Sequence, residues 1–165
     1  MHIHALATAI LAAFTTAHAS NKLQARDSPP LVFADPSDGK SITLPPTERE
    51  PIALTDGQGS PLIWVGELFG VGVPGQLWDL EHRSCLGLTT DESTHPRVIS
   101  RLPIRECENE EIEERTVFGV TQVQFDNPPF SVSFSLAGQP VGRIDDNVGV
   151  IPGGTPIAWR FGSPR

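Results

Sequence analysis

The residues best suited to chemistry lie close together, between His82 and Cys107. This stretch holds both cysteines of the chain, Cys85 and Cys107, and the two histidines outside the first twenty residues, His82 and His95. Thiolates and imidazoles bind zinc, and an imidazole beside a thiol or hydroxyl can act as a general base. The four residues could therefore form a metal site or a catalytic cluster, or the cysteines could simply form a disulfide.

The start of the chain helps to decide between these alternatives. Residues 1–19 are mainly apolar and end in the small-residue pattern Ala17-His18-Ala19, which is typical of a secretory signal peptide. The apolar stretch is shorter than the roughly twenty residues that a membrane span needs. We therefore expect cleavage after Ala19 and a secreted, extracellular protein.

Export favours a disulfide between Cys85 and Cys107, because thiols usually pair in oxidising compartments. The spacing H-x2-C-x9-H-x11-C offers four zinc ligands, but it matches no finger or ribbon pattern. We therefore expect no metal and no cofactor. A metal site and free thiols are the lesser alternatives.

Composition limits the class of partner. The formal net charge is -8 and the isoelectric point is about 5.0. This charge disfavours nucleic acid and anionic membrane surfaces as partners on electrostatic grounds. The length of 165 residues fits one domain. We expect a monomer.

Alternating apolar residues and turn residues predict an all-β fold. In residues 130–136, Phe130, Val132, Phe134 and Leu136 alternate with serines, as in a half-buried antiparallel strand. Further short apolar runs are separated by Gly, Pro, Asp and Asn. The pattern predicts a small antiparallel β-barrel or β-sandwich of about eight to ten strands, with at most a short helical turn, expected in the acidic segment after Cys107.

The domain is expected to span residues 31–165, after a flexible N-terminal tail at residues 20–30. Prolines punctuate residues 31–56, and a proline cannot donate a hydrogen bond inside a sheet. We therefore expect edge strands in this first part of the domain. Asp145-Asp146-Asn147 is expected to form a turn, with an ion site as the alternative.

No motif identifies a catalytic residue. The chain has no G-x-S-x-G elbow, and a base would have to be His82 or His95. Paired carboxylates could hydrolyse a glycosidic bond, but one sequence does not show which two converge. A small secreted hydrolase, with His82 as a helper, is the alternative function, and a structural cell-surface protein is the second alternative.

Three features could form a binding surface. Strand phasing places Val98, Leu102 and Ile104 on one face and three arginines on the other. An acidic segment follows Cys107, and Trp78 is the most ambiguous of the three tryptophans. The predicted binding residues are Arg97, Arg101, Arg105, Glu110, Glu111, Glu113, Glu114 and Trp78.

The whole profile predicts a non-enzymatic domain that acts by binding an extracellular protein or a cell-wall glycan. A signal peptide, one small acidic domain and one disulfide are similar, in type only, to small secreted proteins of filamentous fungi, effector candidates among them. Loops held by a rigid sheet would form the recognition surface.

Overall fold

Twelve short strands form in residues 27–67, 70–89 and 97–165, the residues that the computed structural model describes. The strands are β1 (Val32–Ala34), β2 (Ser41–Thr43), β3 (Ala53–Thr55), β4 (Ile63–Gly66), β5 (Pro74–Asp79), β6 (Ser84–Leu88), β7 (Ile99–Pro103), β8 (Phe118–Gln124), β9 (Ser131–Leu136), β10 (Gln139–Ile144), β11 (Asn147–Val150) and β12 (Trp159–Gly162). Their number exceeds the expected eight to ten, because several strands are only three or four residues long. The expected signal peptide at residues 1–19 lies outside the described residues.

Seven of these strands close into an antiparallel β-barrel, in the order β9, β10, β11, β3, β2, β1, β12 and back to β9. A second group of strands continues from the barrel, because β8 pairs with both β9 and β5. Strand β5 also pairs with β4 and β6, and β6 pairs with β7. The all-β, single-domain prediction is confirmed, and the barrel is the correct one of the two predicted architectures.

The prediction of edge strands in residues 31–56 is wrong. Strand β1 lies between β12 and β2, β2 between β1 and β3, and β3 between β2 and β11. The prolines do not interrupt these ladders, because Pro45, Pro46 and Pro51 lie outside β2 and β3. Closing the ring thus gives each of these strands a partner on both sides.

Two short helical segments separate β7 from β8. Helix α1 (Ile104–Cys107) is followed by a 3-10 helix (Glu110–Arg115) with a kink at Ile112. The Asn109 side chain accepts a hydrogen bond from the backbone N–H of Glu111 at 3.0 Å and so caps the 3-10 helix. No helix in the described ranges is long and apolar enough to cross a membrane.

Aromatic rings organise the core. Phe134 packs edge-on against Phe33 and Phe118, with ring centroids 5.9 Å apart in both pairs, and stacks on Trp64 at 5.7 Å. Gly75 makes room for the indole, because a Cβ atom there would lie 2.3 Å from Cζ2 of Trp64. These contacts join the barrel to the strands outside it.

Two residues of the expected N-terminal tail, Asp27 and Ser28, form hydrogen bonds with β4. The hydroxyl of Ser28 accepts a hydrogen bond from the backbone N–H of Trp64 at 2.8 Å. The carboxylate of Asp27 accepts one from the backbone N–H of Gly66 at 3.0 Å. The last residues of the expected flexible tail are therefore held against β4.

Candidate functional site

The structure contains the predicted disulfide. Cys85 on β6 is bonded to Cys107 at the end of α1, and their Cα atoms are 5.8 Å apart. Both residues are buried in a second, smaller core together with Ile63, Val65 and Leu102. The bond thus fixes the helical segments to the sheet.

The histidines do not join the cysteines. His82 is in the turn between β5 and β6, and its Nδ1 atom lies 2.5 Å from Oδ2 of Asp79. Asp79 is buried, whereas the His82 side chain is about half exposed. His95 lies outside the described residues. Within the described part of the chain, no group of three or more His, Cys, Asp or Glu residues is arranged to hold a metal.

The Asp79 partner of His82 is a feature that the sequence interpretation missed. A carboxylate that accepts from Nδ1 fixes the orientation of an imidazole and leaves Nε2 for other contacts. The Asp79 carboxylate also accepts the backbone N–H of Glu81 at 3.0 Å, so it is held by the turn itself. The signal available in the sequence was an aspartate three residues before a histidine.

The three arginines that were predicted to bind, Arg97, Arg101 and Arg105, do not share one exposed face. Arg101, in the middle of β7, is 4% exposed, and its guanidinium donates to the carbonyl oxygen of Pro46. Arg105 is exposed in α1, and Arg97 precedes β7 at an intermediate position. The alternation in β7 did not indicate an exposed face, because all five residues of the strand are buried and both of its faces are covered.

Trp78 is also unavailable to a ligand, since it is 1% exposed. Its indole N–H donates to the side-chain oxygen of Gln76 at 3.0 Å. The amide nitrogen of Gln76 in turn donates to the carbonyl oxygen of Cys107 at 2.8 Å. Trp78 therefore supports the segment around the disulfide and does not form part of an exposed binding surface.

The acidic segment is on the surface. Glu110, Glu111, Glu113 and Glu114 are all exposed in the 3-10 helix, where a helical turn was expected. None of them forms an ion pair with the predicted arginines in the described ranges. Glu113 and Glu114 line an open groove of about 700 Å³, together with Pro74, Val117, Gly119, Ser135, Ala137 and Gly138.

The turns at one side of the barrel carry a network of charges. Arg143 contacts the carboxylates of Asp35, Asp38 and Asp146, at 3.3, 2.6 and 2.9 Å. Lys40 contacts Asp146 at 2.9 Å. The network joins the β1–β2 turn to the predicted turn between β10 and β11, so it acts as a structural clamp.

Hydrogen bonds within this network shift the pKa values of its exposed carboxylates. The Arg143 guanidinium holds the pKa of Asp38 below its ordinary value of 3.8, helped by the backbone N–H of Lys40. The Lys40 ammonium lowers the pKa of Asp146 in the same way. The carboxylates of this network are thus already paired with the cations Lys40 and Arg143.

An aromatic surface at the β8–β9 hairpin was not predicted. Phe125 and Phe130 are 46% and 37% exposed. Both contact Phe161 of β12, at centroid distances of 5.7 and 6.1 Å. Phe161 contacts Phe33 at 6.2 Å, and Phe33 contacts Phe134 in the core. We call these five rings the aromatic column, and Phe125 and Phe130 form its partly exposed end.

Comparison with known proteins gives a likeness in fold. No protein-family description matches the chain, and no curated protein is significantly similar to it. A solved structure, described as a salivary protein from Culex quiquefasciatus of the Cysteine and Tryptophan-Rich family, superimposes with a TM-score of 0.57 at 12% sequence identity. The alignment covers 84% of this chain and 97% of the salivary protein. At this identity, the likeness supports the fold alone.

Proposed function

We propose that the protein is an exported recognition domain that binds a protein or a cell-wall glycan. The observation that carries this proposal is the exposed end of the aromatic column, where Phe125 and Phe130 are 46% and 37% exposed. Large exposed rings release water when a ligand covers them, and this release is favourable.

The aromatic column also holds the side chains of Phe125 and Phe130 in place before any ligand binds. Phe125 and Phe130 both pack on Phe161, and Phe161 packs on Phe33 inside the barrel. Side chains that are already held in place lose less conformational entropy when they bind. The exposed rings are therefore suited to act as anchors, the residues that carry most of the energy of an interface.

Sequence and fold support the extracellular setting. The predicted signal peptide and the disulfide fit an oxidising compartment. The similar solved structure is described as salivary, which agrees with an exported domain of this shape. An effector-like protein that acts on its surroundings by binding is the role that best fits these features.

The double variant Phe125→Ser/Phe130→Ser tests the proposal. We expect wild-type protein to be retained by a cell-wall polysaccharide in co-sedimentation, or by one extracellular protein in affinity capture, and the double variant to lose at least about tenfold in affinity. Val71→Ser is the matched control, because Val71 is an exposed apolar residue outside the aromatic column. Equal retention of all three proteins would show that the aromatic column is not the binding surface, and no retention of wild type by any ligand would contradict the recognition function and favour a structural surface role.

One observation supports the hydrolase alternative. Asp79 orients His82, as a carboxylate orients the base in many hydrolases. If the protein is a hydrolase, wild type should cleave a member of a panel of chromogenic esters and glycosides, and His82→Ala should abolish that cleavage. If turnover is lost in His82→Ala but unchanged in Phe125→Ser/Phe130→Ser, the hydrolase function would replace the binding proposal.

A further inference from the structure

The groove beside the 3-10 helix has a floor of small residues. Pro74 of β5, Gly119 of β8 and Ser135 of β9 are directly opposite one another across three strands. Ala137 and Gly138, in the turn after β9, continue this floor. A row of small side chains on the outer face of a sheet leaves a depression between the taller residues around it.

Gly119 is the residue that keeps the floor low. A Cβ atom at this position would lie 2.9 Å from the hydroxyl oxygen of Ser135, closer than unstrained packing allows. The resulting volume of about 700 Å³ is within the range of roughly 300 to 1,000 Å³ that is usual for ligand sites. The groove is therefore large enough for a long side chain.

Among the described residues, no cation forms an ion pair with the two carboxylates of the groove. Glu113 and Glu114 are exposed and form no ion pair in the part of the chain that the structure describes. Other acids are neutralised: Asp146 by Lys40 and Arg143, and Glu106 by Arg49 at 2.9 Å. The negative charge at the groove remains available to a positive group from outside.

We propose that this groove receives a basic side chain, arginine or lysine, from a protein partner. The inference rests on the proposed recognition function and narrows its ligand from a protein or a glycan to a protein. The aliphatic stem of an arginine would lie along Val117 and Pro74, while its guanidinium donates to Glu113 and Glu114. A second copy of the chain fits less well, because both copies carry a net charge of -8.

A peptide titration followed by NMR tests this proposal directly. The probe is acetyl-Ala-Arg-Ala-amide, added to full-length secreted protein labelled with 15N. We expect the backbone amide signals of Gly119, Ser135 and Gly138 to shift and to saturate at millimolar peptide. The same peptide with citrulline, which has nearly the same shape without the charge, should shift them far less.

Charge-neutral variants provide the control. Glu113→Gln/Glu114→Gln should weaken binding of the arginine peptide by about threefold to tenfold, as expected for two exposed ion pairs. Glu48→Gln/Glu50→Gln changes net charge equally at exposed positions before β3 and should leave binding almost unchanged. Equal weakening by both pairs, equal binding of citrulline, or no shift at these amides would overturn the proposal.

The two proposals can fail separately. If a captured protein partner loses affinity with Phe125→Ser/Phe130→Ser but not with Glu113→Gln/Glu114→Gln, recognition stands and the groove is not part of it. If neither double variant changes the affinity, neither the aromatic column nor the groove is the binding surface. If the ligand is a polysaccharide and the arginine peptide does not bind, only the groove proposal is overturned.

Discussion

Phe134 and Phe130 have the same side chain and the same strand phase, but different roles. Phe134 is 2% exposed and contacts Phe33, Trp64 and Phe118. Phe130 precedes β9 and is 37% exposed, so the predicted alternation begins one step too early. Alternation shows which residues share a face but not where the neighbouring strand ends, and the sequence therefore could not separate a core ring from a surface ring.

These roles predict different costs for the same substitution. Phe134→Ala should destabilise the protein by about 3 to 5 kcal/mol, because it leaves a cavity among three other rings. Phe130→Ala should cost less, about 1 to 2 kcal/mol, because its side chain is already 37% exposed. Chemical denaturation measures both values, and similar midpoints for the two variants would show that the core is assigned incorrectly.

The charge network predicts a loss of stability in acid. Because the folded-state pKa values of Asp38 and Asp146 are lowered, these groups stabilise the fold above the unfolded value of about 3.9 and lose this contribution as the pH falls further. Asp38→Asn/Asp146→Asn should lower the melting temperature at pH 7, and the difference from wild type should vanish towards pH 2. A difference that is constant with pH would contradict this. Asp126→Asn, an exposed acid in the β8–β9 hairpin, is the control.

At the scale of elements, the most predictable strands were those in which apolar and polar residues alternate. The apolar face of β9 and the helical turn after Cys107 could both be identified from residue types, although Ser133 on the other face of β9 is also buried. Strand β7 was also predicted as a strand, but the exposure of its two faces was not, because a strand covered on both faces buries Arg101 as well as Leu102. The groove also could not be predicted from the sequence, because it depends on Gly119 of β8 lying opposite Ser135 of β9.

The disulfide joins two elements, and its removal should weaken that connection. Cys85 and Cys107 are 22 residues apart in sequence. A loop of that length predicts that Cys85→Ser destabilises the protein by about 2 to 5 kcal/mol. Thiol labelling of denatured, unreduced wild type should detect no free cysteine. Two labelled thiols there would mean that the bond does not form in the secreted protein.

At the scale of the whole molecule, closure of the barrel explains both stability and the binding proposal. Ring closure gives the first three strands partners on both sides, which the sequence could not show because their partners β11 and β12 are about a hundred residues away. Closure also brings Phe161 of β12 beside the β8–β9 hairpin, so that Phe125 and Phe130 rest on a rigid support. The exposed end of the aromatic column is thus a product of the topology.

The most direct test of recognition by this surface is hydroxyl-radical footprinting of the protein with and without its captured ligand. The account predicts that oxidation of Phe125 and Phe130 falls several-fold in the complex, while oxidation of Val71, exposed elsewhere, stays the same. Unchanged oxidation of both phenylalanines in a saturated complex would contradict the account, because the ligand would then bind at a different surface.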